Sequence, residues 1–599
     1  MTVPAPNLDL ALVGNCAIGA LIDRQGSIVW CCMPRFDGDP VFNELLNSGG
    51  ESSTSARFGI ELEGFVRSEQ AYEPGTAIVR TRLFDAAGEG IEITDFCPRF
   101  MNRDRMFRPA QLVRRIRALV GHPRIRLTVR PRGEWGGVAP RVSRGSNHLS
   151  YDLPGGVLRL NSNAPLTYVL DGTWFSLQGP TSLLLGPEET LSGGVEDTAR
   201  EFEEQTSLYW RHWTRRLALP LEWQEAVIRA AITLKLCQFE ETGAIVAAMT
   251  TSVPEAPGTQ RNWDYRYCWL RDAFFVVRAL NSLSEVGTME DYLRWLNDVV
   301  RGARGGHVQP LYGIGLEKTL TETIVPGLSG YRGMGPVRVG NQACEHHQHD
   351  VYGNIVLGAS QAFFDRRLFR RADRRDFAAL ELIGEQAWRL HDQPDAGMWE
   401  LRTRARVHTS SALMCWAACD RLAKIAGAVD ARERVPLWRE RADTIKARIL
   451  ERAWSEPRRA FVESFGGNDL DAGVLLMAEV GFLDPRDPRF VATVDALEGT
   501  LCDGPFMRRY EAADDFGRPE TAFNVCSFWR IDALARIGRA EKAREIFEAL
   551  LACRNHVGLL SEDLHVASGE LWGNFPQTYS MVGIVNGAVR LSKPWDAMV

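Results

Sequence analysis

The sequence has no excess of positive charge. Its 70 Lys and Arg stand against 76 Asp and Glu, leaving a net charge of −6 over 599 residues. A phosphate backbone needs a basic stripe, so nucleic acid is not an expected partner. Several catalytic and nucleotide-binding signatures are missing too. The stretch Gly330-Tyr331-Arg332-Gly333-Met334-Gly335-Pro336 does not fit Gly-x-Gly-x-x-Gly and lacks a strand–helix setting. No Gly-x4-Gly-Lys-Ser/Thr loop and no Gly-x-Ser-x-Gly elbow occurs, so nucleotide and serine-hydrolase chemistry drop out. Also absent are Cys-x-x-Cys pairs and His-Glu-x-x-His. The twelve cysteines show no framework spacing: Cys31 and Cys32 are adjacent, and Cys415 and Cys419 sit at helical spacing among apolar neighbours. They read as reduced, buried thiols of a cytoplasmic protein. Long apolar runs are lacking as well. The run over 10–22 follows Asp9 rather than a basic flank and is too short to span a bilayer, so neither secretion nor a membrane is expected.

What is present is the balance of a folded globular chain, 45% hydrophobic and 24% charged. A chain this long buries enough surface to fold without disulfides or metals. Its 17 Trp and 27 Phe offer flat faces that can stack on sugars, although most aromatic residues in any protein are simply core. Oligomeric state is not fixed by the sequence, and a homo-oligomer is compatible with it.

The first ~200 residues read as strands, with β-branched segments at 26–30, 77–84, 91–96, 124–129 and 167–170 separated by Gly, Pro, Asp and Asn turns. This spacing predicts a sandwich of antiparallel sheets. A polar helical pattern over 198–216 suits a connecting helix. Beyond residue 221 the apolar period turns helical, with helices predicted at 222–239, 269–283, 290–300, 354–369, 375–390, 410–426, 435–453, 471–480, 490–501, 524–537, 542–551 and 578–591. Twelve helices joined by long loops suit a double ring of six hairpins with a site at one end. Helix counting alone does not separate that from an irregular helical domain.

Three segments concentrate chemistry. Asn262-Trp263-Asp264-Tyr265-Arg266-Tyr267-Cys268-Trp269-Leu270-Arg271-Asp272 pairs Arg271 with Asp272 where a helix begins, beside Trp263 and Trp269. Such a pair can donate to and accept from sugar hydroxyls, or can be a surface ion pair. In Gly397-Met398-Trp399-Glu400-Leu401-Arg402, a carboxyl group packed against Trp has the surroundings a general acid requires, though a lone Glu is more often solvated. Glu562, in Leu560-Ser561-Glu562-Asp563-Leu564, lies among apolar and small residues that could present a carboxylate to water. Two facing carboxylates ~6.5–9.5 Å apart are what inverting glycoside hydrolysis needs. Glu345-His346-His347-Gln348-His349-Asp350 is rich in metal-ligand types, but metal sites draw ligands from separated segments or i, i+4 pairs. It reads as a polar loop lining a pocket, with no metal or cofactor expected.

Together these segments resemble glycoside hydrolase family 15, which contains glucoamylases, glucodextranases and bacterial trehalases. The stretch Leu12-Val13-Gly14-Asn15-Cys16-Ala17-Ile18-Gly19-Ala20-Leu21-Ile22 through Pro34-Arg35-Phe36-Asp37 is similar to the trehalase-type N-terminal domain of its prokaryotic members. The resemblance implies an N-terminal antiparallel β-sandwich over 1–197, a linker helix over 198–220 and an (α/α)6 barrel over 221–599. It implies exo-acting, inverting cleavage of an α-glucoside with release of β-glucose. By matching position, Glu400 is the expected general acid and Glu562 the expected base, ionised at working pH, with Glu570 as the alternative base. Arg271 and Asp272 match the pair that holds the non-reducing glucose, and Arg509 and Tyr510 resemble an Arg-Tyr pair on the aglycone side. Trp263, Trp399, Trp572, Gln348 and Asp350 are expected to line the pocket. Where relatives carry a His-Tyr-Thr-His stretch after the acid, this chain has Val407-His408-Thr409-Ser410. The expected substrate is a small disaccharide, trehalose first, then isomaltose or short malto-oligosaccharides. A phosphorylase or a non-catalytic sugar-binding protein would keep parts of the same pattern.

Overall fold

A computed structural model describes residues 6–47 and 54–598. The expected N-terminal unit therefore includes positions, 1–5 and 48–53, that lie outside the described residues. Two antiparallel sheets form the first layer pair. One has eight strands in the spatial order Arg141–Arg144, His148–Leu153, Gly156–Ser162, Thr181–Pro187, Leu112–Val120, Gly90–Phe96, Val79–Asp85 and Phe65–Tyr72. The other has seven, running from Ala11–Gly14 through Gly19–Ile22, Ile28–Met33, Arg57–Leu62 and Arg124–Arg130 to Phe175–Ser176, with Asp39–Phe42 added to Ile28–Met33. The period of two is visible in Val79–Asp85, where Val79, Thr81 and Leu83 are buried and Arg80 and Arg82 are not. Ile28, Phe58 and Leu127 of one sheet share a core with Leu83, Ile93 and Leu185 of the other.

One expected strand is a helix. Segment 167–170 lies in α1 (Leu166–Asp171), which starts after Pro165 and ends on Gly172 at φ +62. Pro fixes φ for a helix start and Gly accepts the left-handed cap, and these override the β-branched content between them. Helix α2 (Val195–Thr214) then crosses to the second half.

Twelve further helices alternate between two rings among the described residues. The outer ones are α3 (Gln224–Leu236), α5 (Gly287–Ala303), α7 (Arg374–Leu390), α9 (Val435–Arg452), α11 (Pro488–Leu501) and α13 (Ala540–Ala552). The inner ones are α4 (Leu270–Ser282), α6 (Asp350–Phe364), α8 (Thr409–Ala428), α10 (Leu476–Glu479), α12 (Asn524–Arg536) and α14 (Thr578–Leu591). Around the inner ring α4 packs on α6, α6 on α8, α12 on α14 and α14 on α4. The 3₁₀ turn Ala472–Leu475 and α10 fill the place between α8 and α12. This is an (α/α)6 barrel. Hydrophobicity sorts the rings: α8 is buried on nearly every side, whereas α9 buries only the stripe Trp438, Ala442, Ile445 and Ile449. Gly353 lets α6 approach α8, since a Cβ there would lie 2.3 Å from the Met414 carbonyl oxygen. Because outer and inner helices alternate, the inner N-termini gather at one end.

Two helices differ from the sequence reading. The one expected over 354–369 begins at Asp350 and stops at Phe364, where Asp365 turns extended and its carboxylate caps Arg367. The one expected over 471–480 is divided equally between a 3₁₀ turn, Ala472–Leu475, and α10; Asp471 caps the turn, its carboxylate accepting from the Gly473 N–H at 2.6 Å. No helix among the described residues is long and apolar enough to cross a membrane, and all twelve cysteines are free.

Candidate active site

The charged segment before α4 is fastened to the sandwich. Arg266, fully buried, donates to Asp264 at 2.9 and 2.7 Å and to the Gly38 carbonyl at 2.7 Å. That ion pair is structural, and it frees its neighbours to turn inward. Tyr265 and Trp269 pack edge to face, ring centroids 5.3 Å apart, and line a cavity at the N-terminal end of the inner ring. Arg271 and Asp272 enter from the first turn of α4.

Glu400 reaches the cavity from the α7–α8 connection. It sits at φ +63, a left-handed conformation that costs a non-glycine residue about 1–3 kcal/mol and persists only when its surroundings hold it. They do: Leu401 N–H donates to Ala396 O at 3.0 Å, Ala396 N–H to His347 O at 2.9 Å, and Arg402 N–H to Asp515 at 2.6 Å. Trp399 turns its Nε1–H to Asp471 at 2.7 Å, so the indole touching the Glu400 carboxylate is not its sequence neighbour. Trp269 is that partner, donating to Glu400 Oε1 at 2.7 Å. Arg271 lies 3.7 Å from the same oxygen.

Glu562 comes from the turn that opens the small sheet Ala522–Phe523, Asp563–His565 and Glu570–Trp572. Tyr265 Oη–H donates to its Oε1 at 2.7 Å, while Oε2 has no protein partner. Burial, reinforced by the charges of Glu255 and Asp563, pushes this carboxyl well above its ordinary range. Arg509 and the Tyr265 hydrogen bond pull the other way. Glu562 thus holds its proton to higher pH than an ordinary carboxyl. Asp563 is raised likewise by burial, despite Arg509 and a 2.9 Å hydrogen bond from Thr521.

Gly573, at φ +77, backs the Glu562 side chain: a Cβ there would lie 2.6 Å from Glu562 Cβ and 2.9 Å from its Oε2. Gly573→Ala combines left-handed strain with overpacking, about 2–4 kcal/mol together. The expected result is a lowered Tm and at least a tenfold loss of kcat, checked by thermal melts and steady-state rates.

The cavity collects Trp263, Arg271, Asp272, Trp399, Glu400, Arg509, Tyr510 and Glu562. Burial raises Asp272 to about 6, against the opposing pull of Arg271, whose Nε lies 3.6 Å from an Oδ2 that accepts no protein hydrogen bond. Trp263 is not a bare stacking face, since the Arg402 and Arg338 guanidiniums lie over its ring at 4.4 and 5.2 Å. Arg509 gives its guanidinium to Glu255, and Tyr510 donates to Asp514.

Three expected lining residues lie outside the cavity wall. Asp350 sits behind it, accepting from Asn354 at 2.9 Å and facing Arg271 at 3.8 Å. Gln348 is buried just ahead of α6, its amide without a protein partner. Trp572 is buried against Tyr331, with Arg332 over its ring at 5.1 Å. Glu570, the alternative base, also lies off the wall and pairs with Arg332. Within 345–350, His346 reaches the cavity, and no group of three or more His, Cys, Asp or Glu among the described residues is placed to hold a metal ion. Sequence reasoning missed Glu255, Arg261, Asp514 and Asp515. They sit in Gly- and Pro-punctuated loops with no periodic signal. Tyr265 stood in a segment already singled out and was identifiable by its alternation with Trp263 and Trp269.

The model of glycosyl hydrolases family 15 matches residues 223–589, and that of the trehalase-like N-terminal domain matches 4–156. Trehalases of Mycolicibacterium smegmatis and Mycobacterium tuberculosis are each 30% identical over 98% of this chain and 91% and 89% of theirs. A trehalase of Thermoplasma volcanium is 29% identical over 97% and 93%. Among solved structures, a bacterial glucoamylase complexed with acarbose superposes with a TM-score of 0.69 at 12% identity, covering 98% of this chain and 95% of that one.

Proposed function

The chain belongs to glycosyl hydrolases family 15 and is a glycoside hydrolase, and from that premise we propose that it is an inverting, exo-acting α-glucosidase whose substrate is α,α-trehalose. The observation carrying the reading is the pair of carboxylates, Glu400 and Glu562, brought to one cavity by the packed rings of Trp269 and Tyr265. The full-length likeness to three trehalases supports the choice of disaccharide.

In this mechanism Arg271 and Asp272 grip the hydroxyls of the terminal glucose. Glu400, protonated, gives its proton to the glycosidic oxygen as the C1–O bond breaks. Glu562, ionised, takes a proton from water on the opposite face of the ring as that water bonds to C1. The unpartnered Oε2 is the acceptor, since Oε1 is held by Tyr265. Because Glu562 must be free of its proton, the raised affinity places the acid limb of the rate profile above that of an ordinary carboxylate. Twelve unpaired thiols support a cytoplasmic location.

The test is proton NMR of purified protein with trehalose, isomaltose and maltose in one phosphate-free tube. Inversion at one C1 of trehalose should release β-glucose and α-glucose in equal initial amounts. Faster loss of isomaltose or maltose would move the substrate within the family. Cleavage only after phosphate addition would replace hydrolysis by phosphorolysis, and no turnover under either condition would leave a sugar-binding protein.

A further inference from the structure

Behind the two carboxylates lies a third that the mechanism above does not use. Glu255 is 3% exposed and lines the same cavity. Trp263 Nε1–H donates to its Oε1 at 3.2 Å, Arg509 donates to both its oxygens, and Arg261 stands 3.9 Å away. Its loop is stitched to the wall behind Glu562: Gly573 N–H donates to Pro254 O at 2.7 Å, and Gly573 is the residue against which Glu562 Oε2 and Asp563 Oδ2 both rest. The cluster is closed and charge-dense. Facing Glu562 are Tyr265 from the segment before α4, Glu255 from the 254–262 loop, Arg509 from the α11–α12 connection, and Asp563 from its own strand. Facing Glu255 are Arg509 and Arg261, the latter itself bound to Asp514 at 2.6 Å.

We propose that Glu255 is a positioning carboxylate that acts through Glu562, placing a buried negative charge beside it and drawing the Arg509 guanidinium to itself. The inference rests on the reading of Glu562 as base. Glu255 and Glu562 line the same closed cavity, where charges are poorly screened, and a like charge there favours the protonated neighbour. Glu255 makes Glu562 a stronger proton acceptor than a lone carboxylate, and a base is most effective when its affinity lies near the working pH. Holding Arg509 has the same sign, because a guanidinium free to turn toward Glu562 would favour the ionised form. Glu400 takes its contacts from Trp269 and Arg271, on another side of the cavity, so Glu255 governs one limb of the rate profile only.

The experiment compares pH profiles of kcat and kcat/KM on trehalose for the intact protein, Glu255→Gln, Glu255→Asp and Glu562→Gln, with thermal melts to establish folding. Glu255→Gln should move the acid limb about one unit to lower pH and leave the alkaline limb in place. Glu255→Asp, which keeps the charge, should keep the wild-type acid limb. A folded Glu255→Gln whose rate falls equally at all pH values, with both limbs unmoved, overturns the inference. Full activity of folded Glu562→Gln overturns the base reading instead, and the two failures are thereby distinguished.

Discussion

Glu400→Gln should lower kcat on a disaccharide by at least a hundredfold while the protein stays folded. A positioned general acid contributes about 10²–10⁴, and an amide cannot release a proton to the departing oxygen. The fold should tolerate the change because the Gln carbonyl can still accept the Trp269 Nε1–H bond, and the loop is held by Asp471, Asp515 and its own backbone. The role is isolated by changing the leaving group. Fluoride departs without a proton, so α-glucosyl fluoride should lose far less rate than the disaccharide in this variant. Equal losses on both substrates, or near-normal disaccharide turnover by a folded variant, would remove Glu400 from the acid role.

Glu562→Gln should cost a similar factor but with a different signature. The missing function is activation of water, which α-glucosyl fluoride also needs, so both substrates should slow together. This variant should also gain stability. A buried carboxyl raised above its ordinary range binds its proton more tightly in the folded than in the unfolded state. The folded protein therefore has the full benefit of this group at low pH, below the unfolded value. It loses that benefit as pH rises through the folded value, and at neutral pH Glu562 works against folding. Gln keeps the Tyr265 hydrogen bond and has no charge to desolvate. Its Tm should exceed the wild type by roughly 1–3 °C at pH 7, with the difference shrinking toward pH 4. A Tm below wild type at pH 7 would contradict the assigned direction.

Outer-ring helices such as α9 were legible because they are amphipathic: Trp438, Ala442, Ile445 and Ile449 repeat on one face of α9. Local capping was harder to read, as the helical 166–171 illustrates, because Pro165 and Gly172 decide that segment rather than the residues between them. In the site, Arg271, Asp272, Trp399 and Glu400 stood in dense motifs and all reach the cavity. Asp350 and Trp572 stood in equally dense motifs and face elsewhere. Motif density reports where chemistry concentrates along the chain, and it carries no information on which way a side chain turns.

The sequence by itself determined the class of the protein. Apolar periods of two and then 3.6 dictate a sheet layer pair followed by helical hairpins, because each period is a local property that any packing must bury. Tertiary structure alone decided the chemistry of the cavity. Glu255, Arg509 and the adjacent pair Glu562–Asp563 come from three distant parts of the chain, and the charge each feels is set by burial and by partners that only the closed ring brings together. Proton affinity depends on distance and dielectric, and neither is written in the order of residues.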